Sequence, residues 1–196
     1  MKAILIGSHS ALDFLNTLMT PDGVVVETIG DGRALLEWMV AAELIDEATA
    51  SKLLRRFGVK ALDAAAQEAR TVREWARSWL TRWRAAPNAD YTEEIATLNK
   101  LLGRETSRRE VIAGEDGLAL VETPHIASAD ALLGLVAVKI AELVTAEQAA
   151  LVRTCAGQKC SLWFLDRTKS HRRMFCSATA CGNRAKVAAL RERQRK

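Results

Sequence analysis

The sequence predicts an α+β chain that is mainly α: a helical body with a few short strands, followed by a small C-terminal module. Three observations predict it. Lys60–Ala86 carries Leu62, Ala65, Ala69, Val72, Trp75 or Ala76, Trp79 and Trp83 at spacings of three and four, the signature of a long amphipathic helix. The β-branched and alternating runs are short. All four cysteines fall within 27 residues near the end, and the first 154 residues have none. At 196 residues, with 49% hydrophobic and 27% charged content, the chain can bury a core without disulfides. The natural division is a body over residues 1–150 and a module over 151–196.

Within the body, Leu12–Leu18 reads as a short helix and Pro21-Asp22-Gly23 as a turn. Val24–Ile29 suits a strand because it is rich in β-branched residues. Gly30-Asp31-Gly32 ends it, and Asp31 is placed to cap a helix over Ala34–Ala42. A further helix runs over Asp46–Phe57 and ends near Gly58. The long helix follows and is stopped by Pro87. The Trp75, Trp79 and Trp83 stripe reads as its buried seam. Thr92–Leu102 is another helix, closed by Gly103. Arg108–Ala113 and Leu118–Glu122 form a hairpin around Gly114-Glu115-Asp116-Gly117. Ser128–Val152 is the last long helix of the body, with Ser128 as its cap. His9 and His125 read as surface or capping residues. The longest apolar stretch, around Ala131–Val138, is too short to span a bilayer and is followed by Lys139 and Glu142. Ser8, His9, Asp13 and Asn16 interrupt any apolar signal segment after Met1. The expectation is a cytoplasmic protein with no membrane partner.

The cysteines form two pairs, Cys155/Cys160 and Cys176/Cys181, each with four intervening residues and with 15 residues between the pairs. Thiolates are soft anionic ligands that suit the tetrahedral shell of Zn²⁺, and two short loops can each supply two corners. Two disulfides and a thiol redox centre are the competing readings. The first needs an oxidising compartment and the second a different spacing beside a βαβ unit. Four sulfur ligands leave no position for water, so the zinc is expected to be structural. Trp163, Phe164 and Phe175 can pack against it, and a helix should follow Cys181, with Val187 and Leu190 sharing an apolar edge and Arg184, Arg191 and Arg195 another side. Knuckle, hairpin and helix make a treble-clef-like finger.

Charge is divided in the same place. Residues 151–196 hold 12 of the 28 Lys/Arg and 2 of the 24 Asp/Glu, a net of +10, which leaves −6 on residues 1–150. A basic segment beside an acidic body points to nucleic acid, an anionic surface or the chain's own body as its partner.

These residues carry a resemblance. Arg153-Thr154-Cys155, Trp163-Phe164-Leu165-Asp166, Arg172-Arg173-Met174-Phe175-Cys176-Ser177 and above all Cys181-Gly182-Asn183-Arg184-Ala185-Lys186 resemble the CGNR zinc finger. Phe175 stands where that family generally has tryptophan. Leu12-Asp13-Phe14-Leu15-Asn16-Thr17 resembles the opening motif of the ABATE domain that usually precedes the finger. The resemblance implies a transcription regulator, stress-linked, whose finger contacts double-stranded DNA and whose body senses a small-molecule effector or forms a homodimer. On charge, Lys169, Arg172, Arg173, Arg184, Lys186 and Arg191 are the candidate phosphate contacts. Asp13 and Asn16, three apart on a short helix, are the candidate ligand-binding pair, with capping and buried hydrogen bonding as the competing reading. The alternative function is a zinc-stabilised protein-interaction module without direct DNA binding. An enzyme is not expected, since the body shows no nucleophile–base motif or phosphate-binding glycine loop.

Overall fold

The computed structural model describes residues 4–104, 107–114 and 117–194. Chain order is α1 (Ser10–Leu15), β1 (Leu18–Met19), β2 (Val26–Glu27), α2 (Gly32–Ala41), α3 (Glu47–Ala85), α4 (Thr92–Leu102), β3 (Ser107–Gly114), β4 (Gly117–Pro124), α5 (Leu132–Ala146), β5 (Val152–Thr154), β6 (Trp163–Leu165) and α6 (Asn183–Arg193). The strands form three separate antiparallel pairs, β1–β2, β3–β4 and β5–β6. The α+β, mainly α expectation holds. Among the described residues, no helix is long and apolar enough to cross a membrane.

Side-chain chemistry sets the helix ends. The Asp31 carboxylate accepts from the Ala34 amide at 2.8 Å, capping α2 as expected, and Asp46 does the same for Thr49 at the start of α3. His9 caps α1 by accepting from the Ala11 amide at 3.2 Å. Gly58 lies in the left-handed region (φ 73°), so α3 is two helices meeting at a kink. Its second part is the long helix predicted from Lys60 onward. Trp79 and Trp83 are buried along it and Trp75 packs at the margin, so the tryptophan stripe is core. A large cluster unites α1, α2, α3, α4 and α5 around Phe14, Leu35, Met39, Leu62, Leu80 and Leu132. At Gly32, α2 crosses α3 so closely that a Cβ would lie 2.4 Å from Leu62 atoms.

Several expectations need correction. Helix α1 stops at Leu15, because Leu18–Met19 leave it to pair with Val26–Glu27. The strand predicted over Val24–Ile29 shrinks to that two-residue pair, with Val24 and Val25 exposed. The last body helix is not continuous over Ser128–Val152. A 3₁₀ turn at Ala129–Ala131 precedes α5, and the Ser128 side chain makes no capping bond. After Ala146 the backbone extends at Glu147, whose carboxylate takes the Arg167 guanidinium at 2.7 Å, and Val152 joins a sheet. The β3–β4 hairpin forms, with Gly114 paired to Gly117; Glu115 and Asp116 lie outside the described residues. Its Val111, Leu118 and Leu120 are exposed.

The hinge between body and module is a short stretch of shared sheet. Strand β5 pairs with β6 through Val152↔Leu165, Arg153↔Phe164 and Thr154↔Trp163. Alternation then sends neighbouring side chains to opposite faces. Trp163 and Leu165 join the body core, whereas Phe164, fully buried, joins a second cluster with Leu162, Met19 and the cysteines. Phe175 packs at the margin of that second cluster. Trp163 therefore serves the body core rather than the metal side where the sequence placed it.

Candidate metal centre and its surroundings

The β5–β6 hairpin exists to close a loop, and that loop carries Cys155 and Cys160. Its neck is fixed by the Cys155 amide donating to Leu162 O at 2.8 Å, and its tip by the Cys160 amide donating to Gly157 O at 2.9 Å. Gly157 packs directly on the sulfurs: a Cβ there would lie 3.5 Å from Cys155 Sγ and 3.6 Å from Cys181 Sγ. The second pair arrives on the segment before α6. The Ala156 amide donates to Met174 O at 2.8 Å, laying that segment against the first loop. Ser177 then caps a wide turn over Ala178–Gly182, which leads into α6 with Cys181 at its N-terminal end. The positive end of a helix favours a thiolate there.

The four sulfurs lie within 4.8 Å of one another. The Cys160–Cys176 and Cys176–Cys181 separations are 3.8 and 3.5 Å. A tetrahedron built on Zn–S bonds of about 2.3 Å has edges of about 3.8 Å, so the donor set fits zinc. Cys155, Cys160, Cys176 and Cys181 would fill all four corners, and zinc is the cofactor this centre takes. A shell closed by four thiolates holds no water to activate, so the ion supplies fold stability.

The protein shapes the electrostatics of each sulfur. Burial works against ionising Cys155, but the amides of Cys176 and Gly157, each donating at 3.4 Å, together with the Cys176 and Cys160 thiols outweigh it and lower its pKa. Burial and the neighbouring thiols push Cys160 up to about 11 and Cys176 higher still. A dication among the sulfurs reverses that balance, since coordination requires the thiolates and displaces their protons. Arg184 donates to Cys181 Sγ at 3.0 Å, and the same guanidinium reaches Pro21 O at 2.7 Å and Asp22 Oδ1 at 2.9 Å. It thus ties a zinc ligand to the first turn of the body. The Gly23 amide donates to Lys159 O and the Thr20 amide to Ser161 Oγ across the same seam.

Two polar residues anchor the module from inside. Asp166, 0% exposed, accepts from the Thr168 amide and hydroxyl and from the Arg173 amide, with Arg153 Nε at 3.6 Å. Burial opposes its charge, yet these donors hold its pKa below the usual carboxylate range. They fold the segment between the cysteine pairs into a bracket behind the metal. Asn16, 2% exposed, donates to Trp163 O at 2.9 Å and accepts from the Trp163 amide at 2.8 Å. Its side-chain amide acts as one rung of sheet beside β6. Asp13 accepts from the Gly7 amide at 2.7 Å, and burial raises its pKa to about 6 against that bond. Asp13 and Asn16 are both spent on backbone partners, and neither lines a described cavity.

The candidate phosphate contacts divide by environment. Lys169, Arg172, Lys186 and Arg191 are exposed. Arg173 is half-buried, stacked 4.3 Å from the Phe164 ring, and its guanidinium donates to Phe175 O and Cys176 O. Arg184 is committed to Cys181, Pro21 and Asp22 as described. Helix α6 has no buried residue, and Val187 (47%) and Leu190 (56%) face solvent instead of the module. Ala185, Ala188 and Ala189 line an open cavity shared with the zinc loops. Arg195, expected beside Arg184 and Arg191, lies outside the described residues. Sequence reasoning missed the Asn16–Trp163 pair, the Asp22 partner of Arg184 and Arg84, which stacks 5.0 Å over the Trp163 ring. None leaves a local signal, since each bond spans many residues of sequence.

Two family models match the chain. The family model ABATE, described as a putative stress-induced transcription regulator, matches residues 8–147. The CGNR zinc finger model matches residues 152–194. No curated protein matches the chain.

Proposed function

Since this chain belongs to the ABATE family and carries a CGNR zinc finger after the ABATE body, we propose that it is a transcription regulator that contacts double-stranded DNA through its zinc module. The observation that carries this reading is the placement of cations on a rigid support. Lys169, Arg172, Lys186 and Arg191 stand exposed on the segment between the cysteine pairs and on α6. The module's net +10 faces a body of −6. Arg173 and Arg184 belong to the same basic segment, with their guanidinium groups holding the support in shape. The body is then the part that senses an effector or forms the dimer. Asp13 and Asn16 serve it by docking the module, in our reading, rather than by touching a ligand.

Neutralising phosphates releases counterions, so affinity for unrelated duplex DNA should fall steeply with salt. The test compares the zinc-loaded full chain with its Lys186→Gln/Arg191→Gln variant. Each lost phosphate contact should weaken binding and reduce the salt slope by about one. A wild-type affinity that does not respond to salt, or a variant with an unchanged slope, would remove the DNA reading. The exposed Val187 and Leu190 favour a second reading, in which α6 docks on another protein through an apolar edge. The wild-type chain should then show no salt-dependent DNA binding, and Val187→Ser/Leu190→Ser should abolish co-purification of the partner.

A further inference from the structure

Between the end of α3 and the zinc module lies a cleft of about 530 Å³, a volume in the range of small-molecule sites. Thr81, Arg84 and Ala85 line it from the body, and Arg153, Arg173 and Met174 from the module. Three arginines therefore line one cavity, and no carboxylate lines it among the described residues.

The three arginines differ in what they have left to offer. Arg153 spends Nη2 on His171 O at 2.7 Å and holds Nε 3.6 Å from Asp166. Arg173 spends Nε and Nη2 on Phe175 O and Cys176 O. Each retains Nη1. Arg84 has no hydrogen-bonding or ionic partner among the described residues; it is half-buried, with its guanidinium 5.0 Å over the Trp163 ring. Burial and the adjacent Arg153 both work against its charge and lower its pKa. A partly desolvated guanidinium beside a second cation favours an arriving anion.

Charge sets the class of that anion. Arg84, Arg153 and Arg173 bring three positive charges, and buried Asp166 behind them brings one negative, which leaves two. A phosphoryl group matches this count and the fork geometry of guanidinium donors better than a single carboxylate does. Ala149, Ala150, Val152 and Met174 add apolar wall beside Thr81 and Thr154, and suit the body of an ester.

We propose that this cleft binds a phosphoryl group, gripped by Arg84 from the body and by Arg153 and Arg173 from the zinc module. The bound group bridges the two parts, so occupancy reports on how the module sits against α3. The phosphoryl group can come from a free phosphate monoester or from a DNA backbone, and the experiment separates these sources without presupposing DNA binding.

Inorganic phosphate is titrated calorimetrically into the zinc-loaded full chain and its Arg84→Gln variant, and both are assayed with duplex DNA. Among the described residues Arg84 makes no hydrogen bond, so the variant should stay folded, as circular dichroism and zinc content will show. A free phosphate ligand predicts phosphate binding that Arg84→Gln weakens by about ten-fold or more, with DNA affinity unchanged. A backbone source predicts that phosphate competes with DNA, or that the variant loses DNA affinity with a salt slope reduced by about one. Phosphate binding of equal strength to both proteins overturns the proposal. So does failure of phosphate to bind together with equal DNA affinities, or with no DNA binding by either protein.

Discussion

Replacing Asn16 with alanine removes both hydrogen bonds that hold Trp163 against α1, at 2.9 and 2.8 Å, in a place where Asn16 is 2% and Trp163 4% exposed. The Trp163 amide and carbonyl then have no replacement partner. A buried polar group left unsatisfied costs about 1–3 kcal/mol, so two cost about 2–6. Partial relaxation or an entering water places the expected loss near 3 kcal/mol, equivalent to roughly 6–12 °C in Tm for a chain of this size. The assay is urea unfolding followed by tryptophan fluorescence, with zinc release to a chelator measured in parallel. Trp163 and Leu165 are shared with the body core. Asn16→Ala should therefore lower the urea midpoint and also speed zinc release, although Asn16 touches no cysteine. Asn99→Ala, on the exposed face of α4, is the control and should change stability by less than about 0.5 kcal/mol. A loss below that value in Asn16→Ala, or wild-type unfolding in which body and zinc centre melt separately, would refute the coupling.

Three further outcomes follow from the same structure. Cys181→Ser removes one corner of the shell and the Arg184 contact, so zinc content should fall from one equivalent to near zero; chelating zinc from the wild-type chain should red-shift Trp163 fluorescence as its strand loosens. Asp13 gives a pH signature. Its folded pKa, about 6, lies above the ordinary value of 3.8, so its proton favours the folded state. That contribution is complete below about pH 4 and is lost as the pH rises through 6, up to about 3 kcal/mol in all. Stability of Asp13→Asn, measured by urea titration at successive pH values, should lack this decline across pH 4–6; an identical slope in both proteins would contradict the buried state of Asp13.

What could be read without coordinates was what is local. The Asp31 cap, the break at Gly58 and the helix at Thr92–Leu102 depend on neighbours within a few residues, and each appears where the chain marks it. The cysteine spacing disclosed the metal because ligand chemistry is confined to few residue types. The errors came where distant sequence intervenes. Ser128–Val152 has apolar spacing throughout, yet Arg167 draws Glu147 out of the helix and β6 recruits Val152 into a sheet. Val187 and Leu190 share an apolar edge, yet both are exposed, and it is Ala185, Ala188 and Ala189 that share a cavity with the zinc loops. Asn16 and Trp163 are 147 positions apart, and nothing near either one announces the other.

The shared strand also constrains how such chains can be recombined. A finger that contributes Trp163 and Leu165 to its neighbour's interior cannot be cut out and spliced behind an arbitrary domain, because the graft would carry two large apolar side chains into water. The donor body would in turn be left with a hole and an unanswered Asn16. Drift at position 163 must be met by the body core that receives its side chain, and drift at Arg184 by the turn holding Asp22. The two halves are consequently heritable as a matched pair, and a chimaera between distant relatives should work only if β6 and α1 are exchanged together.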